Sequence, residues 1–153
     1  MMRLIMLAVL GTIALLSTAL GAGVAMDDSL TPGAIVSADP AVVCAPSYAR
    51  SQRLYDTDRD AYWRTVHTVL DAYHVAFADR HGYQIDHRVP LCLGGGNDAR
   101  NQWPQPLAEA HEKDDLEWAA CIAVCRDHTM TLDQAQRLFL APADWRGAWS
   151  AFR

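Results

Sequence analysis

The chain has little positive charge. It carries 13 lysines and arginines against 18 acidic residues, a formal net charge of −5 over 153 residues, and Lys113 is its single lysine. A basic surplus is the usual sign of a nucleic-acid-binding protein, so the total charge alone argues against such a partner. Arginines do concentrate between residues 50 and 100, but aspartates are interspersed with them. A solvated surface of mixed charge explains this distribution as well as a phosphate-binding surface does.

Long hydrophobic runs are absent after residue 25. Before it, Arg3 is followed by an uncharged run from Leu4 to Leu20 and by small residues ending at Ala25, the pattern of a secretory signal peptide. The run is shorter than the roughly 20 residues of a membrane-spanning helix, which favours cleavage over an uncleaved anchor. We therefore predict a signal peptide at residues 1–25 and a secreted or periplasmic mature chain without stable membrane association. Cleavage removes one base and no acid, so the net charge becomes −6.

Cysteine is scarce, and the four cysteines lack the paired Cys-x2-Cys spacing of a zinc site. In a small exported domain, four cysteines more often form two disulfides than stay free. Cys121 and Cys125 lie four residues apart on a predicted helix, a spacing that is poor for a disulfide. Four cysteines can be paired in three ways. The two pairings that do not join Cys121 to Cys125 therefore remain open.

The apolar pattern predicts one small α+β domain, mostly helical, at residues 47–153. An extended arm at residues 26–46, with a short strand near 41–44, precedes it. The predicted helices share apolar residues at steps of three and four, and they cover 58–78, 107–124 and 131–141. The last of them begins with a capping box. Residues 144–152 are expected to pack as an aromatic lid.

Two short strands are predicted in the middle of the chain. Residues 83–90 alternate apolar and polar side chains and end at a proline. A turn of three glycines follows at 94–96, and residues 101–103 form the returning strand. Pro104 and Pro106 are expected to end the pairing and to precede the next helix.

The region from Asp86 to His111 concentrates the residue types that bind divalent metals and move protons. Asp86 and His87 are adjacent on the first strand, Asn101 opens the second, and His111 lies at the start of the following helix. Strand, turn, strand and helix in this order would bring the four residues together. An Asp-His pair beside a turn is more simply explained as surface polar residues, and a histidine in a first helical turn as a group that shields the helix end. The order and combination of the four residues with the glycine turn therefore carry the signal.

Three segments resemble the HNH endonuclease family, in particular its small exported bacterial members: Tyr83-Gln-Ile-Asp-His-Arg-Val-Pro-Leu-Cys-Leu-Gly-Gly-Gly-Asn-Asp, Asn101-Gln-Trp-Pro-Gln and Ala110-His-Glu-Lys-Asp-Asp-Leu-Glu. The likeness extends to three shorter segments: Thr31-Pro-Gly, Val43-Cys-Ala-Pro-Ser-Tyr-Ala and Leu132-Asp-Gln-Ala-Gln. It covers most of the mature chain.

The resemblance implies a ββα-metal core and a monomeric nuclease that cleaves the phosphodiester bonds of DNA, with RNA a less favoured substrate, using one divalent cation. Asp86 and His111 would bind the ion, which is expected to be Mg2+, with Mn2+ and Zn2+ as alternatives. His87 would be the general base, and Asn101 would hold the loop and orient that histidine. A carboxylate and an imidazole leave coordination positions open for a phosphate oxygen and water.

Two departures from the family pattern bear on the disulfides. The family often has Glu after Pro-Leu and His within the helix, where this chain has Cys92 and Cys121. The paired change implies that the two positions touch. The resemblance therefore favours a disulfide between Cys92 and Cys121 and another between Cys44 and Cys125.

Two rival functions stay open. The first is a binding or structural module of the same fold that has lost catalysis, which the negative net charge favours and the four site residues disfavour. The second is a cell-wall hydrolase or peptidase, suggested only by export. His111-Glu112 begins like the zinc peptidase motif His-Glu-x-x-His, but position 115 is Asp, so the motif is incomplete.

Overall fold

The computed structural model describes residues 24–141 and 145–152. They form a mostly helical α+β domain around a two-stranded antiparallel sheet, which confirms the predicted fold class. The predicted signal peptide lies almost entirely outside the described residues. The α-helices and strands are α1 (Pro40–Val43), α2 (Tyr48–Ser51), α3 (Leu54–Thr57), α4 (Arg59–Ala72), β1 (Tyr83–His87), β2 (Gln102–Pro106), α5 (Leu107–Cys125) and α6 (Leu132–Leu140). Turns of 3-10 helix cover Phe77–Gly82, Leu91–Leu93, Ala99–Asn101 and Trp145–Phe152.

The N-terminal arm is irregular but is tied to the domain. The buried Thr31 hydroxyl donates a 3.0 Å hydrogen bond to the carbonyl oxygen of Gln102. The strand predicted near residues 41–44 is wrong, because residues 41–43 lie in helix α1 and Cys44 is its C-cap. The Asp39 side chain caps that helix, and a proline at the first helical position already has the φ that a helix needs.

Helix α4 ends at Ala72, earlier than the predicted end at Ala78. His74 follows in the left-handed region with φ 56°. The Val75 N–H then donates a 2.9 Å hydrogen bond to the carbonyl oxygen of Leu70, which closes the helix as a Schellman motif. Glycine usually holds this left-handed position, so a histidine there gave the sequence no visible stop signal.

The second strand continues through both prolines, so the prediction that they end the pairing is wrong. Strand β1 pairs with β2 in a register that sets Ile85 opposite Pro104. Just outside the strands, the Arg88 N–H donates a 2.7 Å hydrogen bond to the Asn101 carbonyl oxygen. Hydrogen-bonded pairs alternate with non-bonded pairs in an antiparallel ladder. Pro104 and Pro106 therefore fall at positions where no N–H is needed.

The two faces of the sheet pack against different helices. Trp103 is buried in a core cluster with Leu116 of α5. Ile85 packs on the other side, against Val66 of α4. Residues opposite each other in the ladder share a face, so Asp86, the partner of Trp103, points toward α5.

The C-terminal half follows the predictions closely. Helix α5 covers the predicted residues 107–124 and one more. Helix α6 begins with the predicted capping box, formed by Thr131 and Gln134. In the last turn of 3-10 helix, Trp145 is buried in the core, as expected of a packed aromatic segment.

Two disulfides connect the elements. Cys44 is bonded to Cys125 and Cys92 to Cys121, which confirms the pairing that the resemblance favoured. Both reach helix α5, the first from the end of α1 and the second from the loop between the strands. Disulfides are typical of proteins in oxidising compartments. Within the described ranges, no helix is both long and apolar enough to span a membrane.

Candidate active site

Asn101 organises the loop between β1 and β2 from its interior. The side chain is fully buried, and its Oδ1 accepts hydrogen bonds from the N–H groups of Val89 at 3.0 Å and Ala34 at 3.2 Å. Its Nδ2 donates to the carbonyl oxygens of Val89 at 3.0 Å and Gly96 at 2.8 Å. Every donor and acceptor of the amide is thus satisfied. Asn101 therefore holds the loop, which is one half of its predicted role.

The glycine turn is required because the loop backbone passes close to the N-terminal arm and to an earlier part of the loop. Gly94 has φ 80°, and a Cβ atom there would lie 2.1 Å from the carbonyl oxygen of Ser37. At Gly95 a Cβ atom would lie 1.8 Å from the carbonyl oxygen of Val89. Any side chain at these positions would force the backbone apart. The loop geometry behind β1 therefore depends on these two glycines.

Lys113 directs its ammonium group into the interior, against the end of β1. The side chain is fully buried, and Nζ donates a 2.7 Å hydrogen bond to the carbonyl oxygen of His87. It also forms ion pairs with the carboxylates of Asp86 and Glu117. Burial alone would lower the pKa of Lys113, but the two carboxylates raise it above its ordinary value. Lys113 is therefore a buried, charged and fully paired group.

Three carboxylates converge at this point. Asp86 comes from β1, and Asp114 and Glu117 lie one turn apart on α5; each offers an oxygen, and these oxygens all lie within 4.8 Å of one another. The Gln84 amide nitrogen is 3.4 Å from an oxygen of Asp86 and 3.4 Å from one of Asp114. Burial raises the pKa of Glu117 above its ordinary value, although Lys113 opposes this. We call these three residues the carboxylate cluster.

The carboxylate cluster fits a divalent cation by its donors and by its charge. When ionised, its members carry three negative charges, and Lys113 compensates one of them. The remaining charge of two equals that of one divalent ion. Oxygen-only donors suit Mg2+, Mn2+ or Ca2+ better than Zn2+. Such an ion would share the oxygens of Asp86 and Glu117 with Lys113.

His87 is oriented by Asn97. Its Nε2 lies 3.0 Å from Asn97 Oδ1, and Asn97 Nδ2 donates a 2.6 Å hydrogen bond to the carbonyl oxygen of Gln52. A carbonyl only accepts, so Asn97 presents its oxygen to the ring, which fixes the proton on Nε2 and leaves Nδ1 as the acceptor. Burial lowers the pKa of His87, and Asn97 and Asp86 oppose this, so the neutral ring predominates at neutral pH. The resemblance had implied this orienting role for Asn101.

His111 lies apart from these groups. It is exposed on α5, one turn before Asp114, and does not belong to the carboxylate cluster. The structure thus brings Asp86 and His87 together, with Asn101 holding the loop beside them, but does not bring His111 into the group. Its role as a metal ligand stays a prediction, for which Asp114 and Glu117 are better placed.

Two clefts meet at His87. The first, of about 430 Å3, contains the carboxylate cluster, and the second, of about 410 Å3, is bordered by α3, α4 and Asn97. His87, Ile85, Leu91 and Arg53 line both. The Arg53 side chain is exposed and makes no hydrogen bond or ion pair with any described residue. A free cation therefore stands at the junction of the two clefts.

The Cys92–Cys121 disulfide lines the first cleft. These are the positions where the family that the chain resembles often has Glu and His. A disulfide offers no charged oxygen and no imidazole. Among the described residues that line the cleft, the charged oxygens are those of the carboxylate cluster, and the imidazole is that of His87.

Sequence reasoning missed Lys113, Asp114, Glu117 and Asn97. The sequence does contain a signal for Lys113, because the buried positions of α5 recur at helical steps of three and four: Ala110, Lys113, Leu116 and Ala120. A lysine at a core position, four residues before a glutamate, predicts a buried ion pair. Asn97 had no such signal, since the carbonyl that orients it belongs to a residue 45 positions away.

Comparisons of the chain with models of protein families, with curated proteins and with solved structures found no match.

Proposed function

We propose that the chain is an exported HNH-type phosphodiesterase that cleaves DNA with one divalent cation held by Asp86, Asp114 and Glu117. The observation that carries the proposal is the convergence of this cluster with an oriented His87 and an unpaired Arg53 in joined clefts. The two disulfides support export. When bound, the cation would stabilise negative charge on the phosphate and on the leaving oxygen.

His87 is the general base of the proposed reaction. Its Nδ1 accepts a proton from the attacking water as the new bond from oxygen to phosphorus forms. The bond from phosphorus to the leaving oxygen breaks, and that oxygen takes a proton from solvent, so the products end in a phosphate and a hydroxyl. Asn97 keeps the other ring proton on Nε2 throughout, and Lys113 fixes the strand end through the His87 carbonyl oxygen.

Arg53 is the proposed phosphate contact. Its guanidinium is exposed, lines both clefts and is free to form the paired hydrogen bonds that bind phosphate oxygens. The other charged residues that line the first cleft are the three acidic residues of the carboxylate cluster. A DNA strand that crosses the junction would therefore be held by one cation of the protein beside His87.

A plasmid-nicking assay tests this function. We expect the mature protein to nick supercoiled DNA with Mg2+ or Mn2+ and to lose activity in EDTA. His87→Ala should lower the rate by about 10²–10⁴-fold, because a general base contributes that much, and should leave the circular dichroism spectrum intact. His81→Ala is the matched control, since His81 is exposed and borders neither cleft. Equal rates for His87→Ala and wild type would remove His87 from the reaction.

A module of the same fold without catalysis is the second candidate. Lys113 favours it, because its ammonium group already occupies oxygens of Asp86 and Glu117. The disulfide at Cys92 and Cys121 favours it as well. DNA binding without cleavage under any divalent ion would select this second function over the first.

A further inference from the structure

Trp118 is exposed at the wall of the first cleft. Its side chain is 68% exposed, the highest value among the large hydrophobic side chains of the described residues. It lies on α5 directly after Glu117 and lines the cleft together with the carboxylate cluster. It makes no aromatic ring contact within the described ranges, whereas the exposed Trp63 packs edge-on against Tyr62 and Phe77. The indole is therefore available to a ligand in the cleft.

Electrostatics cannot supply most of the affinity of this cleft for a polyanion. Among the described residues that line it, Arg53 is the only lysine or arginine, and the three carboxylates of the cluster line the same cleft. A bound divalent ion would neutralise the carboxylates without adding positive charge. Without a metal ion, the contact that this cleft offers to a nucleic acid besides Arg53 is stacking of a base on the Trp118 ring, and such stacking contributes about 1–3 kcal/mol per base.

We propose that Trp118 is a stacking platform for an unpaired base, so that the preferred substrate is single-stranded DNA. The proposal rests on the proposed function and names its substrate class. In a duplex, each base is stacked on its neighbours and offers no free face, whereas a single strand offers every face to an aromatic side chain. Arg53 binds a phosphate of the same strand beside His87, and Trp118 holds a base where α5 lines the cleft.

Binding measured without cleavage tests the proposal. The probe is a short fluorescein-labelled oligothymidylate, alone or annealed to oligoadenylate, and the readout is fluorescence anisotropy in EDTA. We expect the single strand to bind more tightly than the duplex. Trp118→Ala should weaken single-strand binding roughly 5- to 150-fold, the range expected for one lost stacking contact. Trp118→Phe should retain most of the affinity, and Trp63→Ala, which removes an exposed indole outside both clefts, should bind like wild type.

Salt dependence gives a second readout. If stacking dominates, the logarithm of the affinity should fall with the logarithm of the salt concentration with a slope of about one or less, and Arg53→Ala should flatten it. Wild-type affinity in Trp118→Ala, tighter binding of the duplex, or an equal loss in Trp63→Ala would each overturn the stacking site. Nicking activity with unchanged binding in Trp118→Ala would refute this inference alone. Single-strand binding that depends on Trp118, without cleavage, would refute only the proposed function.

Discussion

The two polar networks beside β1 differ in charge and in how completely their polar groups are paired. The Asn101 network is neutral, and four hydrogen bonds satisfy it completely. The network around Lys113 is charged, and it sets three carboxylates against one ammonium group. A balanced neutral network is sufficient to hold a loop. The other network holds more carboxylates than ammonium groups, so its oxygens could also hold a cation.

Of the substitutions that test this comparison, Lys113→Met should lower the stability of the protein most. It leaves the buried Asp86 and the half-buried Glu117 without their counter-charge, so we expect the free energy of unfolding in urea to fall by about 3–5 kcal/mol. Mn2+ should restore part of the lost stability, because it can bind the carboxylate oxygens that Lys113 no longer occupies. The double variant Lys113→Met with Glu117→Gln should be less unstable than the single one. A loss within error of zero would mean that Lys113 is not the counter-charge of the cluster.

Asn101→Ala should have a smaller effect of a different kind. It leaves buried N–H and carbonyl groups of the loop without partners, which should lower the free energy of unfolding by about 3 kcal/mol. Mn2+ should stabilise this variant by as much as it stabilises wild type, because no proposed ligand has changed. Paired urea titrations with and without Mn2+ measure both quantities. An Mn2+ effect that disappears in Asn101→Ala would show that the two networks are not separate.

Asn97→Ala should have the smallest effect on stability, about 1 kcal/mol, since it removes two hydrogen bonds of a half-buried side chain. The nicking rate should fall by more than the loss of stability explains, because His87 loses the contact that fixes its tautomer. Comparing the nicking rate with the urea midpoint separates the two effects. Nicking at the wild-type rate would show that His87 does not need Asn97.

Local signals predicted much of the fold. Helix α5, the capping box at Thr131 and the strand at Tyr83 each follow from residues close together in the sequence. The resemblance supplied the disulfide pairing. The end of α4 and the length of β2 were not predicted. The end of α4 was missed because His74 takes a backbone conformation that glycine usually holds, and the length of β2 was missed because its prolines were expected to end the pairing. Pro104 is tolerated only because of the register that the partner strand imposes.

The candidate site was also predicted only in part, because it depends on contacts between residues that are far apart in the sequence. Asp86 and His87 are adjacent in the sequence and stay together in the structure. His111 was expected to join them from the start of α5, but it lies one turn before Asp114 and two turns before Trp118 on the same side of that helix, so Asp114 and Glu117 meet Asp86 instead. The point along α5 that meets the end of β1 is set by packing of the helix against the sheet, and a pattern of metal-binding residue types does not contain that information.

Calorimetric titration with Mn2+ tests the central claim, that the carboxylate cluster holds a divalent cation, most directly. The account predicts one site in the wild type and a loss of affinity of tenfold or more in Asp114→Asn and in Glu117→Gln, because each removes a charged oxygen ligand, roughly 1.4 kcal/mol or more of binding free energy. His111→Ala should bind Mn2+ like wild type. Unchanged affinity in both carboxylate variants, together with a loss in His111→Ala, would contradict the account and restore His111 as the ligand.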